Sequence, residues 1–184
     1  MQVLLLDDDD DLREGMKWMF ETVDLPMQGF ARFDVFKENL DSYVNSNAEL
    51  CLLLDLRMPD MSGLEVFEWL KRSGYSLERL PVIFLTGHGD ISTAVEAVKN
   101  GAFDFYEKPT TDQRLVERVK QALQKSGEFL ANLEVLWPLN LCKGECDMKA
   151  EKFGSRRANY LYRELSQTAQ LEPHLYLARQ AAKR

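Results

Sequence analysis

The chain has 184 residues, of which 45% are hydrophobic, and a formal net charge of −7. That length suits one ordinary domain plus a smaller unit, and the absence of a long apolar run excludes a membrane-spanning helix. Charge is divided unevenly: residues 1–125 hold 14 Lys+Arg and 23 Asp+Glu, whereas residues 126–184 hold 9 and 7, an acidic part followed by a mildly basic tail.

The start, Met1 to Asp7, lacks the basic flank and small-residue cleavage site of a signal peptide. Three cysteines do not make a disulfide framework, so a reducing cytoplasm is the expected setting. Cys51 falls in an apolar run. Cys142 and Cys146 have no second Cys or His pair at metal spacing, which argues against zinc.

Val3 to Leu6 is an apolar run that ends in five aspartates, Asp7 to Asp11. Asp7 and Asp8 fall at the end of a predicted buried strand. Asp9 to Asp11 fall in the first turn of the next helix, where negative charge suits the macrodipole and the free N–H groups; Asp10 is considered for the cap. Met16, Met19, Phe20 and Val23 form the apolar stripe of that helix. Met27 to Ala31 reads as a short strand. Val35 to Val44 reads as a helix with Phe36, Leu40 and Tyr43 or Val44 inward.

Leu50 to Leu54 is an apolar run without alternation that ends in Asp55. Such a run suits a strand buried on both faces, as in a parallel sheet. Pro59 and Gly63 mark the loop after it. A helix follows over Leu64 to Arg72, with Leu64, Phe67 and Leu70 inward. Leu80 to Thr86 is a further buried run, followed by the loop Gly87-His88-Gly89-Asp90. Ile91 to Asn100 reads as a helix with Ala94, Val95 and Val98 on one face, closed by Gly101. Phe103 to Pro109 is a last short strand carrying Lys108. Asp112 to Lys125 is an amphipathic helix with Leu115, Val116, Val119, Ala122 and Leu123 inward.

Strands alternate with helices five times in the first 125 residues. The expected fold is a doubly wound α/β domain with a five-stranded parallel sheet. Asp7 and Asp8, Asp55, Thr86 and Lys108 all fall at predicted strand ends. Right-handed crossovers bring parallel strand ends to one edge of the sheet, so these residues should converge there. His88 lies in a neighbouring loop, but a lone loop histidine without a paired nucleophile reads as surface.

Three carboxylates at close range resist ionising together, and a hard dication removes that conflict. Magnesium suits oxygen ligands, with Asp8 and Asp55 direct, Asp7 through water, and a backbone carbonyl near Arg57 as a further donor. Asp55 is then the expected nucleophile, because carboxylates accept phosphoryl groups. Lys108 would pair with one phosphoryl oxygen and Thr86 would hydrogen-bond another.

With these residues on the page, the sequence resembles the receiver domain of two-component response regulators. The resemblance is carried by Asp7-Asp8, by Asp55 in Leu-Asp-Leu-Arg-Met-Pro-Asp-Met-Ser-Gly, by Thr86 in Leu-Thr-Gly-His-Gly-Asp, and by Lys108 in Glu-Lys-Pro. It covers residues 1 to about 125 and is most similar to FixJ-type regulators, and also to receivers of NtrC-type activators. It implies that Asp55 accepts phosphate from a sensor histidine kinase with Mg²⁺, without turnover as an enzyme. It implies Thr86 and Phe105 as a switch pair, a cis peptide bond before Pro109, and a homodimer face over residues 91–125. Lys99, Asp104, Arg114 and Arg118 would offer cross-subunit charge pairs on that face.

Residues 126–184 are expected to be a linker plus a small helical unit. Ser126 to Leu136 would extend the last helix, and helices are expected near Ala158–Leu165 and Glu172–Lys183. FixJ-type regulators carry a LuxR-type helix-turn-helix unit at this place, but its Thr-Pro-Arg-Glu-Arg-Glu entry is missing. Arg156, Arg157, Arg163 and Arg179 are candidates for DNA phosphates within residues 156–184. The alternative is a receiver acting as phosphate relay or through protein–protein contacts. A magnesium-dependent phosphatase is disfavoured, since only Asp8 could serve as acid or base.

Overall fold

The computed structural model describes residues 1–87, 91–108 and 113–136, with side chains described except at 91–94 and 133–136. The strands are β1 (Gln2–Leu6), β2 (Met27–Phe30), β3 (Leu50–Asp55), β4 (Val82–Thr86) and β5 (Asp104–Glu107). They alternate with α1 (Asp10–Glu21), α2 (Phe33–Val44), α3 (Gly63–Arg72), α4 (Ile91–Lys99) and α5 (Gln113–Leu136). All strand pairs are parallel, in the order β2-β1-β3-β4-β5. This is the expected doubly wound sheet, and its order reverses between β1 and β3.

The period of two along each strand divides the core in two. Leu4, Leu6, Leu52, Leu54 and Phe84 face α2, α3 and α4, meeting Phe36, Leu40, Val66, Phe67, Leu70 and Ala97. Val3, Leu5, Cys51, Leu53, Ile83 and Leu85 face α1 and α5, meeting Met16, Phe20, Leu115, Val119 and Leu123. Both faces being covered explains why β1, β3 and β4 read as unbroken apolar runs. Burial also pushes the Cys51 thiol far up, so it behaves as a core residue.

One helical stripe holds as expected and one differs. In α3 Phe67 and Leu70 are buried as expected and Leu64 packs half-buried against the same cluster, joined by buried Gly63 and Val66. In α4 Val95 is 39% exposed, whereas Ala97 is 2% exposed and Val98 half-buried. Short helices rich in apolar residues admit two neighbouring frames, and here the frame with the small Ala97 faces the sheet. Gly101, at φ +106°, ends α4 as expected.

A second knot of bonds lies among residues at the amino-terminal end of β3. Arg79 is 3% exposed. Its guanidinium donates to the carbonyls of Val44 at 3.2 Å and Ser46 at 2.7 Å, and to Ser126 Oγ at 2.9 Å. Ser126 Oγ also accepts from the Leu50 N–H at 3.0 Å and donates to the Arg79 carbonyl at 2.7 Å. The end of α2, the loop before β4, the start of β3 and α5 are thereby joined. The helix α5 runs unbroken through residue 125 to Leu136.

Candidate functional site

Each candidate residue follows from where its strand stops. The ladder of β1 ends with Asp7, whose N–H donates to the Phe30 carbonyl at 3.1 Å. Asp55 is the last residue of β3, and Thr86 the last of β4. Lys108 follows β5 directly, and its N–H donates to the Thr86 carbonyl at 2.7 Å. The parallel register therefore delivers all of them to the carboxyl edge of the sheet.

Asp7 and Asp55 are buried, at 0% and 4% exposure, and Asp8 is exposed. One oxygen from each of these three carboxylates lies within 4.8 Å of the others. Lys108 Nζ stands 2.7 Å from Asp7 Oδ2 and 2.7 Å from Asp55 Oδ1. The remaining oxygens are partly engaged: Asp7 Oδ1 accepts from the Asp9 N–H at 3.0 Å, and Asp55 Oδ2 from the Arg57 N–H at 3.1 Å. Among the described residues no cation bonds the Asp8 carboxylate. Thr86 is buried, and its hydroxyl has no hydrogen-bond partner among the described residues.

The electrostatics match this crowding. Burial pushes the Asp7 carboxyl above the ordinary value of 3.8, and the Asp55 charge adds to that, against the lowering bonds from Lys108 and Asp9. Burial works against the Lys108 ammonium, but its bonds to Asp55 and Asp7 outweigh burial and hold its pKa above the ordinary 10.5. One ammonium thus directly partners two of the three carboxylates, Asp7 and Asp55, and leaves Asp8 without it. The deficit of positive charge and the all-oxygen donor set fit a hard dication such as Mg²⁺.

The run of five aspartates divides by bonding. Asp9, not Asp10, caps α1: its Oδ1 accepts from the Leu12 N–H at 3.1 Å. Asp10 instead pairs with Arg13. The loop after Asp55 is held by a capping box on α3, in which Ser62 and Glu65 exchange bonds. Gly63 is required there, since a Cβ on it would meet the Asp55 carbonyl oxygen at 2.1 Å.

Phe105 lies mid-strand in β5, half-buried and packed on the core face shared by α2, α3 and α4. It pairs with Phe84, two residues from the Thr86–Glu107 pair. Asp104 and Arg118 bond each other within the chain, and Arg118 also lies over the Phe103 ring at 4.8 Å. Both charges were also expected to offer pairs to a second subunit. His88, Pro109, Cys142, Cys146 and residues 156–184 lie outside the described residues. Sequence reasoning missed Arg13, whose Nη1 donates to the Asp7 carbonyl at 2.6 Å. The only signal for it was an arginine three residues after Asp10.

A parallel α/β domain with carboxylates, a hydroxyl and an ammonium at one strand edge defines the class of signalling receivers. The response regulator receiver domain family matches residues 3–120, and the chain belongs to that family. It is 38% identical over 130 residues to the response regulator protein TodT of Pseudomonas putida, a match that covers 71% of this chain and 54% of TodT. It is 38% identical over 128 residues to the transcriptional regulatory protein FixJ of Azorhizobium caulinodans, covering 70% of this chain and 57% of FixJ. The crystal structure of FixJ-N is similar with a TM-score of 0.56 at 32% identity, covering 67% of this chain and 93% of that one. The chain thus spans about half the length of the curated relatives it matches. Among the described residues no helix is long and apolar enough to cross a membrane.

Proposed function

We propose that this chain is a response regulator that takes a phosphoryl group on Asp55 from a sensor histidine kinase and switches its output in consequence. The observation that supports it most is Lys108 Nζ, held 2.7 Å from both Asp7 and Asp55 carboxylates at one strand edge. An Asp55 carboxylate oxygen attacks phosphorus, an acyl-phosphate P–O bond forms, and the P–N bond to the donor imidazole breaks. The freed imidazole leaves with the electron pair and takes a proton from solvent. Attack by a carboxylate needs no general base.

Asp8, Asp55, Asp7 and the Arg57 carbonyl would hold Mg²⁺, which when bound offsets charge on the transferring oxygens. Lys108 pairs with a phosphoryl oxygen in place of Asp55 Oδ1. The buried Thr86 hydroxyl donates to another, and the space behind it is taken by Phe105. This reshapes the face over residues 91–125, where a second copy docks. The output is transcriptional, through DNA contacts from residues 156–184. The relay reading, without DNA binding, is favoured instead by the missing helix-turn-helix entry sequence.

The test is incubation with acetyl phosphate and Mg²⁺, followed by intact mass, sedimentation and DNA binding. The expected result is one added phosphoryl group, lost in Asp55→Asn, which keeps the shape but is a poor nucleophile. Equal labelling of that variant refutes the site. A labelled protein that stays monomeric and does not bind DNA moves the reading to phosphate relay.

A further inference from the structure

We propose that Arg13 is a positioning residue for the acidic pocket: it fixes the turn between β1 and α1 so that Asp7 and Asp8 present their carboxylates together with Asp55. The inference rests on that pocket being the magnesium site of the proposed reaction.

Arg13 stands in the first turns of α1, with its side chain 15% exposed. Its Nη1 donates to the Asp7 carbonyl at 2.6 Å, and its Nη2 pairs with the Asp10 carboxylate. Its stem lies along β2, where a Cβ on Gly29 would come 3.2 Å from Arg13 Cδ. The other polar groups of Asp7 are all engaged: N–H to Phe30, Oδ1 to Asp9, Oδ2 to Lys108. The carbonyl is the remaining group, and it sits where the sheet ladder stops. A charge-assisted bond there is roughly twice as strong as a neutral one.

The consequence passes through the peptide plane. The Asp7 carbonyl and the Asp8 nitrogen belong to one rigid unit. Holding that oxygen therefore sets the direction in which the Asp8 Cα leaves the strand. Asp8 is exposed, and no side-chain bond among the described residues aims its carboxylate, so the backbone must. Arg13 reaches from helix to turn to strand, and so ties the aim of Asp8 to the sheet that carries Asp55.

A rival account gives the opposite sign. If Arg13 acted only as a nearby positive charge, removing it would strengthen Mg²⁺ binding. If it positions, removal weakens binding although the pocket becomes more negative. Lysine keeps the charge but lacks the planar fork that spans the Asp7 carbonyl and Asp10 together.

The experiment is calorimetric titration of the full chain with Mg²⁺ at fixed ionic strength, with circular dichroism and thermal melting in chelator as the check on folding. Wild type binds. Arg13→Met weakens binding roughly tenfold, the lower end of the effect of groups that orient metal ligands. Arg13→Lys falls between the two. Gly29→Ala, which displaces the arginine stem while leaving its charge, weakens binding in the same direction and carries the test if Arg13→Met does not fold. Binding by Arg13→Met that is unchanged or tighter overturns the proposal, as does wild-type affinity in both Gly29→Ala and Arg13→Lys. A wild type that binds no Mg²⁺ overturns the reading of the pocket itself.

Discussion

Asp7 folds at a cost to the domain. Its carboxyl is buried and its pKa is raised above 3.8, so the folded state holds its proton to higher pH than the unfolded chain does. Below 3.8 both states are protonated and the cost is absent. It accumulates as pH rises from there to the folded value, and is then constant. Asp7→Asn should therefore raise the melting temperature at neutral pH, with the gain shrinking on acidification toward the ordinary carboxyl value. Saturating Mg²⁺ should reverse the ranking, since a ligand at 100 times its Kd stabilises wild type by about 2.7 kcal/mol. Melts of both proteins across that range, with and without the ion, decide it. Thr86 makes the complementary case. Its buried hydroxyl has no partner among the described residues, so Thr86→Val should leave stability unchanged or raise it by about 1 kcal/mol in urea unfolding. The same change should slow phosphoryl transfer. These residues were legible because each ends an apolar run. Arg13 was not, because its bond goes to a backbone oxygen and leaves no pattern of side chains.

The elements that carry the site are held by close approach. Helix α3 starts against the strand that holds Asp55, with Gly63 N–H donating to the Leu56 carbonyl at 3.1 Å. Gly63→Ala puts carbon into backbone, which cannot yield as a flexible side chain does. A loss of about 3 kcal/mol is expected in urea unfolding, at the upper end of overpacking, together with poor labelling of Asp55. Helix α1 begins beside Asp8 and presents Trp18, which is 74% exposed. A large exposed aromatic roughly 15 Å along a helix from the site is suited to a protein partner. Trp18→Ala should lower the rate of phosphotransfer from the kinase severalfold and leave labelling by acetyl phosphate unchanged. Element order and type were readable from apolar runs and helical periodicity, as was the inward face of α3, but that of α4 was not. In a helix of 9 residues, one apolar side chain more or less decides the frame, and contact with the sheet settles it.

At the scale of the molecule, Arg79 and Ser126 join four parts of the chain on one side of the core. Ser126→Ala leaves the Leu50 N–H and one Arg79 donor without their acceptor, a cost of about 1–3 kcal/mol in urea unfolding. Asp55 labelling should survive it, since none of its partners touches the site. In the sequence Ser126 opened the extension of the last helix, and nothing there marked it as buried. Its burial depends on a loop residue 47 positions away, and such long-range pairing carries no local signal. The acidic receiver was legible because its chemistry sits in short motifs, whereas the tail offered only scattered arginines. The 24 residues of α5 make a rod about 36 Å long, bolted at Ser126. A bolted rod has a phase as well as a length. Each residue inserted between positions 127 and 136 would turn the far end of α5 by about 100°, and seven would nearly restore it. Output plotted against insertion length should therefore oscillate with the helical repeat rather than decline smoothly.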